Sequence, residues 1–150
     1  MSNVTTRKTI QAPAERVWAL ATDIPGSAQT LSGVNRIEML SEGHFGPGTR
    51  WRETRTMFGR EATEEMWVTE VDPGRAYTVE ADSHGAHYVS TFAFTAVTPQ
   101  QTEVVLDFGA QPHGTVAKVL AKVTGPVASR SVAKALQKDL DDLAAAAERA

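Results

Sequence analysis

Residues 115–149, TVAKVLAKVTGPVASRSVAKALQKDLDDLAAAAER, read as one long amphipathic helix around which the rest of the chain is arranged. Apolar side chains fall at Val116, Leu120, Val123 and Val127, then at Val132, Leu136, Leu140, Leu143 and Ala147. Steps of three and four place them on one helical face. Lys118, Lys122, Arg130, Lys134, Lys138, Asp141, Asp142 and Glu148 fall mostly off that stripe, where water can solvate them. Gly125-Pro126 interrupts the pattern and predicts a kink or a short break, because proline lacks a backbone donor and clashes with the preceding turn. A straight helix of this length would run roughly 50 Å, longer than the ~40 Å diameter expected of a compact chain of this size. It must therefore cross the whole domain. A free coiled-coil helix fits less well, since Ala and Val dominate and no heptad of large residues persists.

Ahead of this helix the chain reads as strand after strand. Val4 to Gln11 is the first. Ala12-Pro13 turns the chain into a short helix with Val17, Trp18, Leu20 and Ala21 on its apolar face, Pro13 and Glu15 suiting its N-terminal turn. That helix stops near Asp23-Ile24-Pro25-Gly26, and a weaker helical stretch follows from Ser27 to Leu31. Six strands come next: Val34 to Ser41, Thr49 to Phe58, Arg60 to Val71, Arg75 to Asp82, His87 to Val97 and Thr102 to Gly109. Glycine-rich and Asp-Pro-Gly turns separate them. Alternation is plain in the fifth strand, with Tyr77, Val79 and Ala81 on one face, and in the sixth, with Tyr88, Ser90, Phe92 and Phe94 sharing one parity. Short connections predict an antiparallel meander. Its apolar face needs a cover, and only the long helix is large enough.

The chain of 150 residues fits one domain, residues 1–150. Net charge is −3 with no basic cluster, which argues against a nucleic-acid surface. No apolar run is long enough to span a bilayer, and MSNVTTRKTI has no signal-peptide core, so no membrane insertion is expected. Cysteine is absent, which excludes disulfides and thiol chemistry and fits a cytoplasmic location.

The order of elements, with IQAPAERVWALATDI at residues 10–24, GHFGPGTRWRE at 43–53, WVTEVDPGRAY at 67–77 and the C-terminal helix, resembles the START-like (SRPBCC) superfamily of polyketide cyclases/dehydrases and lipid-transfer domains. The resemblance implies an α+β helix-grip fold. A seven-stranded antiparallel sheet would curl around the long C-terminal helix, with two short helices between strands 1 and 2. It also implies an apolar cavity between sheet and helix. It does not choose a function, because such folds host transport, sensing and catalysis alike.

The third strand is the most informative about chemistry. If Trp51 and Met57 face inward, alternation carries Glu53 and Arg55 to the same face, where a charged pair would be costly unless paired or bonded to a ligand. The alternative register turns Arg52, Thr54 and Thr56 inward. Met66, Tyr77, Tyr88, Phe92, Phe94, Leu106 and Phe108, with Leu120, Val123 and Val127 from the helix, form an apolar set. They are either plain core or the lining of a pocket for an aromatic or polycyclic molecule. Trp67 points outward by strict alternation unless a bulge intervenes.

The loop Gly43-His44-Phe45-Gly46-Pro47-Gly48 lacks the Gly-Lys-Ser/Thr ending and following helix of a phosphate cradle, and reads as a connection. His44, His84, His87 and His113 show no metal-ligand spacing, so neither metal nor cofactor is expected. His87 and Tyr88 begin a cavity strand and suit either acid/base work or a solvated rim. No nucleophile–His–Asp set is visible, and no catalytic residue is assigned. Two functions follow. One is a binder or carrier of a small hydrophobic molecule, acting as monomer or homodimer. The other is a polyketide cyclase/dehydratase-like enzyme in which Glu53, Arg55, His87 or Tyr88 positions a carbonyl compound.

Overall fold

A computed structural model of the chain describes residues 4–57, 59–83, 86–112 and 126–149. Strand β1 (Val4–Ile10) leads into helix α1 (Ala14–Thr22), a 3-10 turn (Ile24–Gly26) and helix α2 (Ser27–Thr30). Strands β2 (Val34–Met39), β3 (Arg50–Met57), β4 (Arg60–Asp72), β5 (Ala76–Ser83), β6 (Ala86–Thr98) and β7 (Gln101–Pro112) follow, then helix α3 (Pro126–Glu148).

Local chemistry sets the element ends. The Pro13 carbonyl accepts from the Arg16 and Val17 N–H groups at 3.1 Å each, starting α1. The Asp23 carboxylate accepts from the Gly26 N–H at 3.2 Å and opens the 3-10 turn. At Asp72-Pro73-Gly74 the chain reverses through a left-handed glycine, φ 79° at Gly74, and Arg75 N–H bonds back to the Asp72 carbonyl at 2.9 Å.

The described strands form one antiparallel sheet in the order β1-β7-β6-β5-β4-β3-β2. From β2 to β7 it is a meander. Strand β1 instead lies at the far edge beside β7, with Val4 opposite Phe108 and Ile10 opposite Thr102. The α1–α2 insert carries the chain from one sheet edge to the other, α1 packing against the C-terminal helix and strands β6 and β7, and α2 against β2.

Helix α3 is described over Pro126–Glu148. Its 23 residues correspond to about 34 Å. The expectations for residues 115–125, including Leu120, Val123 and the kink at Gly125, lie outside the described residues. Leu140, Leu143, Ala144 and Ala147 are buried in one core with Ile10, Val17, Val104 and Leu106. The helix C-terminus is held by Arg16, whose Nε and Nη2 donate to the carbonyls of Ala147 (2.6 Å) and Arg149 (2.7 Å). A cation donating to the last carbonyls suits the negative end of the helix dipole. Asp142 accepts from both the N–H and the hydroxyl of Ser32 (2.9 and 2.7 Å), tying α3 to the chain entering β2.

Among the described residues, one buried side-chain group in this core is unsatisfied. The Thr6 hydroxyl, beside Leu106 on β1, has no hydrogen-bond partner. An unpaired buried hydroxyl costs on the order of 1 kcal/mol or more. Thr6→Val keeps the shape and removes the orphan, so its urea midpoint should rise by the equivalent of about 1 kcal/mol at unchanged slope. A lower midpoint would show that the hydroxyl has a partner after all.

Candidate functional site

Strand β3 takes the register in which Trp51, Glu53 and Arg55 share the concave face, opposite Met66, Glu64 and Ala62 of β4. Arg52, on the other face, is exposed and pairs with Glu38 at 3.4 Å. Thr56 is exposed as well, whereas Thr54 is buried with its hydroxyl 2.8 Å from that of Thr63.

The inward charges are paired with one another and with the helix. Trp51 Nε1 donates to Glu53 Oε1 at 3.2 Å. Glu53 Oε2 accepts from Arg55 Nε at 3.1 Å and lies 3.0 Å from Nη2. Arg55 Nη1 reaches both carboxylate oxygens of Asp139 on α3, at 3.1 and 3.0 Å. The side chains of Glu53, Arg55 and Asp139 retain only 10, 18 and 17% of their exposure. Desolvation works to lower the basicity of Arg55, but Asp139 and Glu53 outweigh it, and the guanidinium stays charged. Burial pushes the Asp139 carboxyl above its ordinary range, against the pull of Arg55. Burial, and then the charge of Glu53, also raise the Tyr77 phenol, so it remains a donor.

Arg55 and Asp139 line a cleft of about 560 Å³ between Gly33 and Thr56 on the sheet side and Ser131, Lys134 and Lys138 on the helix side. The mouth is thus framed by β3 and α3. A carboxylate at position 139 lies at the edge of the apolar stripe, three residues after Leu136 and four before Leu143. That interruption was the only sequence signal for its role, and sequence reasoning missed it.

The aromatic residues divide into two groups. Tyr77 stacks on Phe92 (centroids 4.7 Å apart) and Phe94 (5.9 Å). Trp18 of α1 and Phe45 of the glycine loop close over Tyr77 edge-on at 5.6 and 5.1 Å. Together with buried Trp51 and Leu106, Tyr77 and Phe94 belong to the packed core. Tyr88 stacks on Phe108 at 5.6 Å, both half-buried, nearer the other end of the concave face. Met66 is half-buried against the core. Burial, then the charge of Glu64, raises the Tyr88 phenol. Trp18 was expected on the apolar face of the short helix, whereas Phe45 was not in the apolar set, because a loop aromatic carries no periodicity to mark it.

His87 points away from this site. It stands on the convex face with Nδ1 2.6 Å from Asp82 and Nε2 2.6 Å from Glu80. Of the two readings of His87, acid/base work in a cavity or a solvated rim, its position on this face supports the second: one step along a strand, Tyr88 and His87 face opposite sides. Trp67 shares the convex face, 6.2 Å from the His87 ring and 4.8 Å below the Arg50 guanidinium. The irregularity in β4 comes after it, between Val68 and Glu70, and so leaves it outward. Carboxylates only accept, so the clamp is complete only when both ring nitrogens donate, in the imidazolium form. Hydrogen bonds to Asp82 and then Glu80 raise the His87 pKa, while the bond from His87 lowers that of Glu80. The clamp's contribution to stability is full below the ordinary imidazole value of about 6.5 and is lost as pH rises through the raised value. The share of Glu80 is present above roughly pH 4.5 and is lost as pH falls through its lowered value. His87→Phe should therefore lower Tm most near pH 6 and least near about pH 9. A constant Tm difference across that range would show that the clamp does not titrate.

Among the described residues no cluster of His, Asp and Glu is arranged to hold a metal ion. His84 and His113 lie outside them. The loop at Gly43–Gly48 is a connection, with Gly48 N–H bonded to the Val68 carbonyl at 2.8 Å.

A seven-stranded antiparallel sheet with a C-terminal helix packed on it, and two short helices between its first two strands, defines a helix-grip fold. The chain belongs to the polyketide cyclase / dehydrase and lipid transport family, whose sequence profile matches residues 1–148. Its structure is similar to a START superfamily protein from Mycobacterium smegmatis, at 15% identity and TM-score 0.81 over 98% of this chain and 97% of that one. The Zhui aromatase/cyclase from Streptomyces sp. R1128 superposes at 23% identity and TM-score 0.78, covering 99 and 94% of the two chains. TTHA0849 from Thermus thermophilus does so at 23% identity and TM-score 0.72, covering 97 and 99%. At these identities the likeness is one of fold. No curated protein matches the sequence. Among the described residues no helix is long and apolar enough to cross a membrane.

Proposed function

We propose that this chain is a single domain that binds a small hydrophobic molecule, aromatic or polycyclic, between the concave sheet face and the C-terminal helix. The observation that carries the reading is the Glu53–Arg55–Asp139 cluster, charged and largely buried, at a cleft between strand β3 and helix α3. Burying three charges is expensive and rarely favours stability over an apolar core. A task at the cleft accounts for keeping them. Met66, Tyr88, Phe92 and Phe108, each half-buried on the concave face, supply the apolar contact. Trp51, Tyr77, Phe94 and Leu106 back them from the core, and Leu120 and Val123 belong to the same proposed lining. The protein works as a monomer or homodimer in the cytoplasm, without a cofactor.

A second reading makes the chain a cyclase/dehydratase-like enzyme. What favours it is Asp139, a carboxyl raised by burial and bonded to a guanidinium. Such a pair can polarise a carbonyl through Arg55 and exchange a proton through Asp139.

Titration with a monohydroxyanthraquinone, read by quenching of tryptophan emission, tests the binding reading. Wild type should saturate, and Arg55→Lys should bind about tenfold more weakly, because an ammonium cannot reproduce the planar fork. Arg52→Met, on the outer face, should bind as wild type does. If Arg52→Met is the impaired variant, or wild type does not saturate, the assignment fails.

A further inference from the structure

Resting on that binding site, we infer that the cleft takes an amphipathic ligand with a carboxylate head, held at the mouth by Lys134 and Lys138 of α3 while the apolar body points inward. The two lysines stand four residues apart, so their side chains are neighbours on one helical face. Both are exposed and both line the cleft shared with Arg55 and Asp139. Among the described residues no carboxylate forms an ion pair with either, and the sequence over 113–125 contains neither Asp nor Glu. Like charges at this spacing repel and weaken a helix. A carboxylate whose two oxygens each meet one ammonium relieves that repulsion.

The other charges at the cleft are already matched. Arg55 turns Nε and Nη2 to Glu53, and Nη1 to both oxygens of Asp139. Asp141 holds Lys8 at 3.2 Å and Gln137 at 3.3 Å. Hydrogen bonds from Gln137 and then Lys8 keep its carboxyl below the ordinary range, and Lys138 adds a weaker pull from farther off. The lining therefore carries three cations, Arg55, Lys134 and Lys138, against two carboxylates, Asp139 and Asp141. Glu53 and Lys8, which hold Arg55 and Asp141 from outside the lining, offset each other and leave the surplus positive. An anion gains a counter-charge here, whereas a cation meets a surplus of its own sign.

The same inventory fixes which end of the ligand lies outermost. A carboxylate set against the buried cluster would lose its water beside Glu53 and Asp139, where every donor of Arg55 that faces them is engaged. At the mouth it keeps part of its hydration, and the two ammoniums reach it on flexible stems. Those stems, with Ala135 beside them, offer apolar surface to the start of the ligand body.

Four probes on one ring system decide the matter by calorimetry at neutral pH and low salt: naphthalene, β-naphthol, β-naphthoate and β-naphthylmethylammonium. The β-naphthoate should bind about tenfold more tightly than β-naphthol, and the ammonium probe most weakly of the four. Raising salt to about 0.5 M, where the screening length falls to roughly 4 Å, should erase most of that preference without weakening naphthalene. Lys134→Gln and Lys138→Gln should each cost β-naphthoate about threefold, and the pair together about tenfold, with β-naphthol unchanged. Arg52→Gln, which removes a cation from the outer face, should leave all four affinities as in wild type. If naphthalene binds but β-naphthoate shows no advantage over β-naphthol, or keeps its advantage in the folded double variant, the head-group assignment alone is overturned. Failure of all four probes to bind overturns the binding site, and this assignment with it.

Discussion

Arg55→Met should unfold at clearly lower urea than wild type, with a loss of about 3 kcal/mol. The substitution leaves Glu53 and Asp139 facing each other across the space the guanidinium filled, with only 10 and 17% of their side-chain surface in water. Removing one partner of a buried ion pair costs roughly 3–5 kcal/mol, because the charge left behind has already lost its hydration. Partial exposure of this cluster puts the expectation at the low end of that span. Trp51 loses little directly, since its indole N–H still bonds to Glu53. The decisive comparison is the combined variant Glu53→Gln, Arg55→Met, Asp139→Asn. Removing the stranded charges should recover most of the loss, leaving a strongly non-additive cycle. Additive losses would mean that the three side chains contribute through packing, and the electrostatic account of the cluster would be wrong.

Leu140→Ala should cost about the same, roughly 3 kcal/mol, by a different physical route. Leu140 is 1% exposed and lies where α3 meets the core formed with Ile10, Val17, Val104 and Leu106. Truncation loses apolar transfer energy and leaves a cavity whose walls, a sheet and a helix pinned by Arg16 and Asp142, have little freedom to collapse. The observable is a fall in urea midpoint with an unchanged slope. A loss below about 1 kcal/mol would mean that α3 can shift to refill the space, and that its grip on this end of the sheet is loose.

The two substitutions bear on adjoining residues of α3, Asp139 through its partner Arg55 and Leu140 directly, yet opposite purposes meet there. Leu140 holds the helix to β1 and α1, while Asp139 carries a charge that the core does not need. A helix that uses adjacent residues for packing and for a buried ion network positions the cleft rigidly, since α3 cannot slide without breaking one or the other.

Much of this was decided by the sequence on its own, because backbone geometry imposes its periods locally. The step of two along Tyr77, Val79 and Ala81, and along Trp51, Glu53 and Arg55, is the pleat itself, so face assignments followed from one anchored residue. The step of three and four through Leu136, Leu140 and Leu143 is the turn of a helix. Asp72-Pro73-Gly74 marks a reversal because proline restricts φ and glycine accepts a positive one. Tertiary structure alone decided what meets what. Arg55 and Asp139 are 84 positions apart in the chain, and no local period relates a strand to a helix that far away. The position of β1 beside β7, at the edge of the sheet far from β2, likewise rests on pairing between segments distant in the chain. Phe45, in a loop without periodicity, could be placed on Tyr77 only by packing. His87 and Tyr88 show the boundary between the two: alternation already put them on opposite faces, but which face held the carboxylates awaited the folded sheet.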